Sequence, residues 1–249
     1  MEIVISNIEQ FKVFFDVIYD MSSELVELQL FHERLVCAML DRTKTRFFHV
    51  EYDASFFDEY EIDDVSSIVV FVEDLHKLLK STNKSDTLIL EINDPNLTAK
   101  IISKNGNRRV FEFVLPSDFV DSPTPPHADF PAVFEVDVGD LKQSAKDIKL
   151  IGSDLYTFVV KNGELTIMTN TDLATKYANS MDIELEEEMN GIASASFTLD
   201  YVVQMLKFDK ITKKVRIKIG DDMPIFYTFK DNIMGVSVNG MIAPRISEE

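Results

Sequence analysis

FKVFFDVIYDMSSELVELQLFHERL, residues 11–35, and LKQSAKDIKLIGSDLYTFVVKNGEL, residues 141–165, lie 130 positions apart and read alike without a gap. Phe11 falls on Leu141. Val26, Leu28 and Leu30 fall on Tyr156, Phe158 and Val160, and His32-Glu33-Arg34-Leu35 falls on Asn162-Gly163-Glu164-Leu165. The match resumes at a shift near 127, where Leu75, Leu78, Leu79 and Lys80 meet Val202, Met205, Leu206 and Lys207, and Leu88, Leu90 and Ile92 meet Val215, Ile217 and Ile219. A chain written twice predicts two similar units and a quasi-symmetric assembly.

Working outward, each half reads as helix, sheet, helix, sheet. Phe11, Phe14, Phe15 and Ile18 recur at helical spacing over 9–20, and Leu75, Leu78 and Leu79 do so over 72–81. Period-two runs predict strands near 26–30, 35–40, 46–52, 67–71, 87–92, 97–102 and 109–115. The second half repeats this with helices at 138–150 and 198–208, and strands near 154–160, 164–169, 174–182, 192–197, 214–219, 224–230 and 233–240. Between them, PSDFVDSPTPPHADFP holds five of the eight prolines and no basic residue. Proline cannot donate to a sheet ladder, so 116–131 reads as a semi-rigid connector between domains 1–115 and 132–249.

The 249 residues allow two domains of about 120 residues, each able to bury a core. A single cysteine excludes a disulfide framework, and MEIVISNIEQF lacks the basic flank and apolar run of a signal peptide. No apolar run approaches a membrane span, so a soluble intracellular protein is expected. The net charge of −18 argues against a nucleic-acid partner only as an average; what matters is where the 25 basic residues gather.

They gather on helices. Lys77, Lys80 and Lys84 lie opposite the leucine stripe of the second helix, Lys142, Lys146 and Lys149 flank the Leu141, Ala145, Ile148 stripe of the third, and the fourth is expected to expose Lys207 at its end, with Lys210, Lys213 and Lys214 in the loop that follows. The fourth is expected to bury Leu199, Val202, Val203 and Leu206; the first offers Lys12 among acids. A lysine on the wet face of one helix serves solubility. Three helices doing so, with acids clustered at 58–64, 184–188, 221–222 and the tail, suit a protein that turns one face to DNA.

The duplication, these lysines, Leu40-Asp41-Arg42-Thr43, Phe57-Asp58-Glu59-Tyr60, Asp-Asp-Met-Pro at 221–224 and the ending MIAPRISEE together resemble sliding clamps of the proliferating cell nuclear antigen (PCNA) type, over the whole chain. The resemblance implies an α+β fold of two duplicated DNA-clamp domains, each with two helices packed on antiparallel sheet, closing as a homotrimeric ring around double-stranded DNA. Such a ring tethers DNA polymerase, and clamp loader, flap endonuclease and DNA ligase dock through short peptide motifs. It implies duplex-facing lysines at Lys12, Lys77, Lys80, Lys146 and Lys207, with Asp200 standing where eukaryotic members carry arginine. It implies a partner-peptide pocket at Leu40, Thr45, Phe47, Pro123, Pro125, Phe130, Pro224, Met241, Ile242, Ala243 and Pro244. The proline-rich connector offers few backbone donors, so the tail is expected to carry more of the pairing. Subunit edges fall at 108–114 and 175–181, including Arg108, Arg109, Val110, Phe111, Phe113, Thr175, Tyr177 and Met181, with Arg108 and Arg109 expected to meet a neighbour's acids.

Nothing assembles an enzyme. Cys37 sits inside an apolar strand, the four histidines (His32, His49, His76 and His127) show no metal spacing, Asp63-Asp64 and Asp221-Asp222 read as solvated loop acids, and Gly106 and Gly163 read as turn glycines. No catalysis, cofactor or metal is expected. A subunit of a heterotrimeric clamp, or an acidic DNA-mimic scaffold, remain the alternatives.

Overall fold

The computed structural model describes residues 1–118, 120, 122–124, 128–170, 175–189 and 191–245. Pro125, His127 and residues 246–249 lie outside them. The chain divides into two compact units. The first comprises Met1–Arg42, Phe48–Thr124 and Lys230–Val238, and the second Thr43–Phe47, Pro125–Phe229 and Asn239–Glu249.

In the first half of the chain the order is β1 (Glu2–Ile5), α1 (Ile8–Asp20), β2 (Leu25–Phe31), β3 (Arg34–Leu40), β4 (Arg46–Asp53), β5 (Glu59–Glu61), β6 (Ser66–Phe71), α2 (Val72–Lys80), β7 (Thr87–Asn93), β8 (Asn96–Ile102) and β9 (Arg108–Val114). The second half runs β10 (Ala132–Asp137), α3 (Val138–Leu150), β11 (Leu155–Lys161), β12 (Glu164–Asn170), β13 (Lys176–Asp182), β14 (Ile192–Thr198), α4 (Leu199–Met205), a 3-10 turn (Leu206–Lys210), β15 (Lys214–Ile219), β16 (Ile225–Asp231) and β17 (Val236–Ile242). From α1 to β3 each element has its copy 130 residues later, and from α2 to β7 127 later. Each unit therefore opens on a strand, β1 or β10, that the helix-first reading passed over. The three-residue β5 was also passed over, and the last strand begins at Val236, three residues beyond the expected start.

Strand orders repeat as well: β5-β1-β7-β8-β9 and β4-β3-β2-β6 in the first unit, β10-β15-β16-β17 and β13-β12-β11-β14 in the second. The paired residues run antiparallel, as at Leu25↔Phe71 and its counterpart Leu155↔Thr198. Period two puts Val26, Leu28 and Leu30 inside one core and Tyr156, Phe158 and Val160 inside the other. The cores are filled differently. In the first, Phe11, Phe14 and Phe15 of α1 pack with Phe48, Tyr52 and Phe56. In the second, buried Ser144 takes the place equivalent to Phe14, and the space goes to Tyr156, whose hydroxyl donates to Leu141 O at 3.1 Å.

The hairpins show the same freedom. Asn162 and Gly163, both at positive φ (53° and 77°), form the two-residue β11–β12 turn whose backbone twist matches its strands. His32-Glu33 closes β2 to β3 with neither residue at positive φ.

α4 corrects one expectation. Val203 is 38% exposed, and Met205 is buried with Leu199, Val202 and Leu206. On a 100° wheel these four centre the stripe near Val202, leaving Val203 about 100° away.

Candidate functional site

In the first unit α1 packs against α2, with His76 and Asp16 meeting at the seam. His76 Nε2 lies 3.0 Å from Asp16 Oδ1, and the His76 ring stacks on Tyr19 with centroids 4.0 Å apart. Burial depresses the His76 pKa below its ordinary value, against the opposing pull of Asp16 and Asp20 and with help from Lys80. Lys77, Lys80 and Lys84 are exposed and Lys12 is half-buried. Lys77 Nζ lies 2.6 Å from Glu73 one turn earlier, which holds the Glu73 carboxyl below its usual range.

In the second unit Lys146 and Lys149 project from α3 into solvent and Lys210 is exposed, while Lys207 is half-buried instead of exposed at the helix end. Lys142 is half-buried because Asp209 binds it at 2.6 Å, tying α3 to the 3-10 turn. The four helices and that turn carry eight lysines against nine carboxylates, net −1, so −17 of the chain's −18 lies elsewhere.

Two seven-residue strands bury nothing. β9 exposes Val110 (57%), Phe111 (37%) and Val114 (71%), with Phe113 half-buried. β13 alternates exposed and half-buried residues throughout, with Tyr177 and Met181 on its half-buried side and Thr175 exposed just before it. Among the described residues each strand has one hydrogen-bonded partner strand, β8 or β12, and so presents a free edge. Their inner faces are occupied: Tyr177 Oη donates to Asp147 at 3.2 Å and Asn179 donates to Ser144 at 3.2 Å. Within the chain, Arg109 donates to Ser81 O at 3.0 Å and lies 3.7 Å from buried Asp86. The C-terminal end of α2 captures it, because a buried carboxylate and an unpaired helix carbonyl are better partners than water. Arg108 stays exposed.

Of the implied partner pocket, Leu40 (36% exposed) and Pro123 (half-buried) belong to the first unit. In the second, Phe47 and Ile242 are buried, and Thr45, Phe130, Pro224, Met241, Ala243 and Pro244 are half-buried. Phe130 packs on Phe226 with centroids 4.9 Å apart. The tail's own donors are committed: Ala243 N–H donates to Thr45 O and Arg245 N–H to Ser196 O, each at 2.7 Å, and Pro244 has none. Backbone pairing with a partner at 243–245 would therefore fall to carbonyls. Arg245, whose side chain binds Asp154 at 2.7 Å, and Arg46, which packs on α4, anchor this region. Arg245 lies in the quoted ending without having been singled out, and Arg46 carried no motif signal. Cys37 is fully buried, and burial pushes its thiol far above the usual range, which suits a packed residue.

A scan against protein-family models found no match. Among curated proteins, the chain is 33% identical over 240 residues to the DNA polymerase sliding clamp of Methanothermobacter thermautotrophicus, covering 94% of this chain and 93% of that one. The chain belongs to the DNA polymerase sliding clamp family. The sliding clamp of Methanobrevibacter smithii is 29% identical over 246 residues, with 96% and 95% covered. Among solved structures, PCNA from Thermococcus kodakaraensis superposes with a TM-score of 0.86 at 19% identity, over 98% of this chain and 99% of that one. The PCNA2-PCNA3 complex from Sulfolobus tokodaii gives 0.85 at 22%, over 98% and 99%. These two report the clamp fold, and the sequence relatives report the function: a sliding clamp acting in DNA replication.

Proposed function

We propose that three copies of this clamp close head to tail into a ring around double-stranded DNA and tether a polymerase to it, without sequence preference and without catalysis, in the cytoplasm beside the nucleoid. The observation that carries this reading is the pair of wholly unburied edges, β9 in one unit and β13 in the other. Unlike edges on one chain make a heterologous contact, which closes into a ring when the rotation per subunit divides the circle. Exposed Val110, Phe111 and Val114 supply the apolar part. In the ring, Lys12, Lys77, Lys80, Lys84, Lys142, Lys146, Lys149, Lys207 and Lys210 face phosphate. Lys142 and Lys77, already paired, contribute less than the free ends of Lys146 and Lys149. The domains are 1–115 and 132–249, joined by 116–131. Partner peptides bury apolar anchors against Thr45, Phe47, Phe130, Pro224 and the 241–244 segment, the route by which polymerase, flap endonuclease, ligase and loader dock.

The test is topological. Clamp loaded onto nicked circular plasmid should co-elute with it and leave when the plasmid is cut to a linear form. Mass from light scattering should equal three times 28.4 kDa. A persistent monomer that never becomes linked to a circle overturns the self-sufficient ring, and recovery on adding a second clamp chain would make it one subunit of a mixed ring.

A further inference from the structure

Arg46 lies between Thr45 and Phe47, in the segment assigned to the second unit. Its guanidinium lies over the Tyr201 ring, 4.2 Å from the centroid, and Nη1 donates to Gln204 Oε1. Tyr201 and Gln204 stand three residues apart on α4, so one planar cation grips a single turn of that helix. Stacking and in-plane donation together are what a guanidinium does and an ammonium does not.

The other side of Arg46 leads to the tail. Thr45 O, one residue away, accepts the Ala243 amide at 2.7 Å. Arg46 is close enough to Tyr227 for its charge to oppose the burial that pushes that phenol up. The Tyr227 ring in turn lies so tightly over Gly240 that a Cβ there would fall 1.9 Å from it, so only glycine fits. A route thus runs from α4, through Arg46 and the adjacent Thr45, to Ala243 just beyond the end of β17.

We propose that Arg46 is a positioning residue for partner recognition: anchored on α4, it holds the Thr45 carbonyl where Ala243 needs it and so fixes the 241–244 segment against which a partner peptide packs. The proposal rests on the partner-pocket reading above.

The test titrates a synthetic peptide, one helical turn with an aliphatic and two aromatic anchors, into the full chain, Arg46→Ala, Arg46→Lys, Gln204→Ala, the Arg46→Ala/Gln204→Ala pair, and a truncation after Met241. Truncation should abolish binding. Arg46→Ala should weaken it by up to about tenfold, Arg46→Lys should fail to rescue, and the double variant should be no weaker than Arg46→Ala alone. Oligomer mass should be unchanged throughout. If Arg46→Ala does not fold, Arg46→Lys and Gln204→Ala carry the same comparison. Truncation abolishing binding while every Arg46 variant binds like the parent would remove Arg46's role and leave the pocket standing. Undiminished binding after truncation would remove the pocket and this proposal with it.

Discussion

In the first unit α1 buries seven of its thirteen residues and carries a net charge of −2, while at equivalent positions α3 buries five of thirteen and carries +1. Duplication therefore preserved the buried period of these helices and left their solvent faces free to diverge, because a core residue is held by many neighbours and a surface residue by few. The two free edges also differ, although they are not copies of each other, since in the repeated strand orders β9 answers to β17 and β13 to β4. β9 holds out Val110, Phe111 and Val114, whereas β13 holds out Lys176, Ala178, Ser180 and Asp182. The proposed ring would benefit from unlike edges, since two identical edges would pair with themselves.

The largest expected effect breaks the contrast between edges. Placing charge on β9 with Val110→Asp and Phe111→Asp should reduce the assembly to a mass of 28.4 kDa by light scattering, a weakening of more than about a hundredfold. Ser180→Asp on the polar edge should weaken assembly far less. Equal effects would mean that β13 also contributes apolar contact.

Next comes the contrast between helices. Each phosphate contact contributes about 0.9 to the slope of log affinity against log salt. Lys146→Ala with Lys149→Ala should flatten the slope for duplex DNA by up to about 1.8, whereas Lys12→Ala, beside Glu9 and Asp16, should change it by less than about 0.9. A larger change from Lys12 would show that α1 is the helix nearer the duplex.

The smallest effect belongs to His76, which has no counterpart of its kind in the second unit, where Gln204 or Val203 stands nearby in sequence alignment with α2. Its folded pKa is depressed by burial, so the fold favours the neutral ring. The unfolded chain then binds more protons as pH falls through the ordinary value near 6.5, and stability contributed by neutral His76 is present above that pH and lost below it. Melting temperature measured from pH 7.5 down to about 5 should fall more for the parent than for His76→Phe, which keeps a ring against Tyr19. Parallel curves would assign the acid sensitivity to other groups.

Much of this architecture is legible in periodicity. The four helices and the long strands follow from apolar spacing, since amphipathic segments must bury one face. The strands that escaped are β1 and β5, four and three residues long and too short for a period to be distinctive, and β10, whose six residues do alternate but run directly on from the proline-rich connector and into a helix. Val203 was misassigned because a seven-residue helix admits more than one stripe until its neighbours choose. The lysine ridges are visible as charge spacing, but the capture of Lys142 by Asp209 and of Arg109 by Ser81 and Asp86 joins residues 23 to 67 positions apart, which no local pattern encodes.

The amino-acid sequence by itself determined the duplication, the helix and sheet content and the family, because these depend on the period of buried residues along the chain. Only the tertiary structure decided which strands stay uncovered, which lysines keep free ends and what Arg46 grips. Those depend on the distance between groups remote in sequence, and distance exists only once the chain has folded.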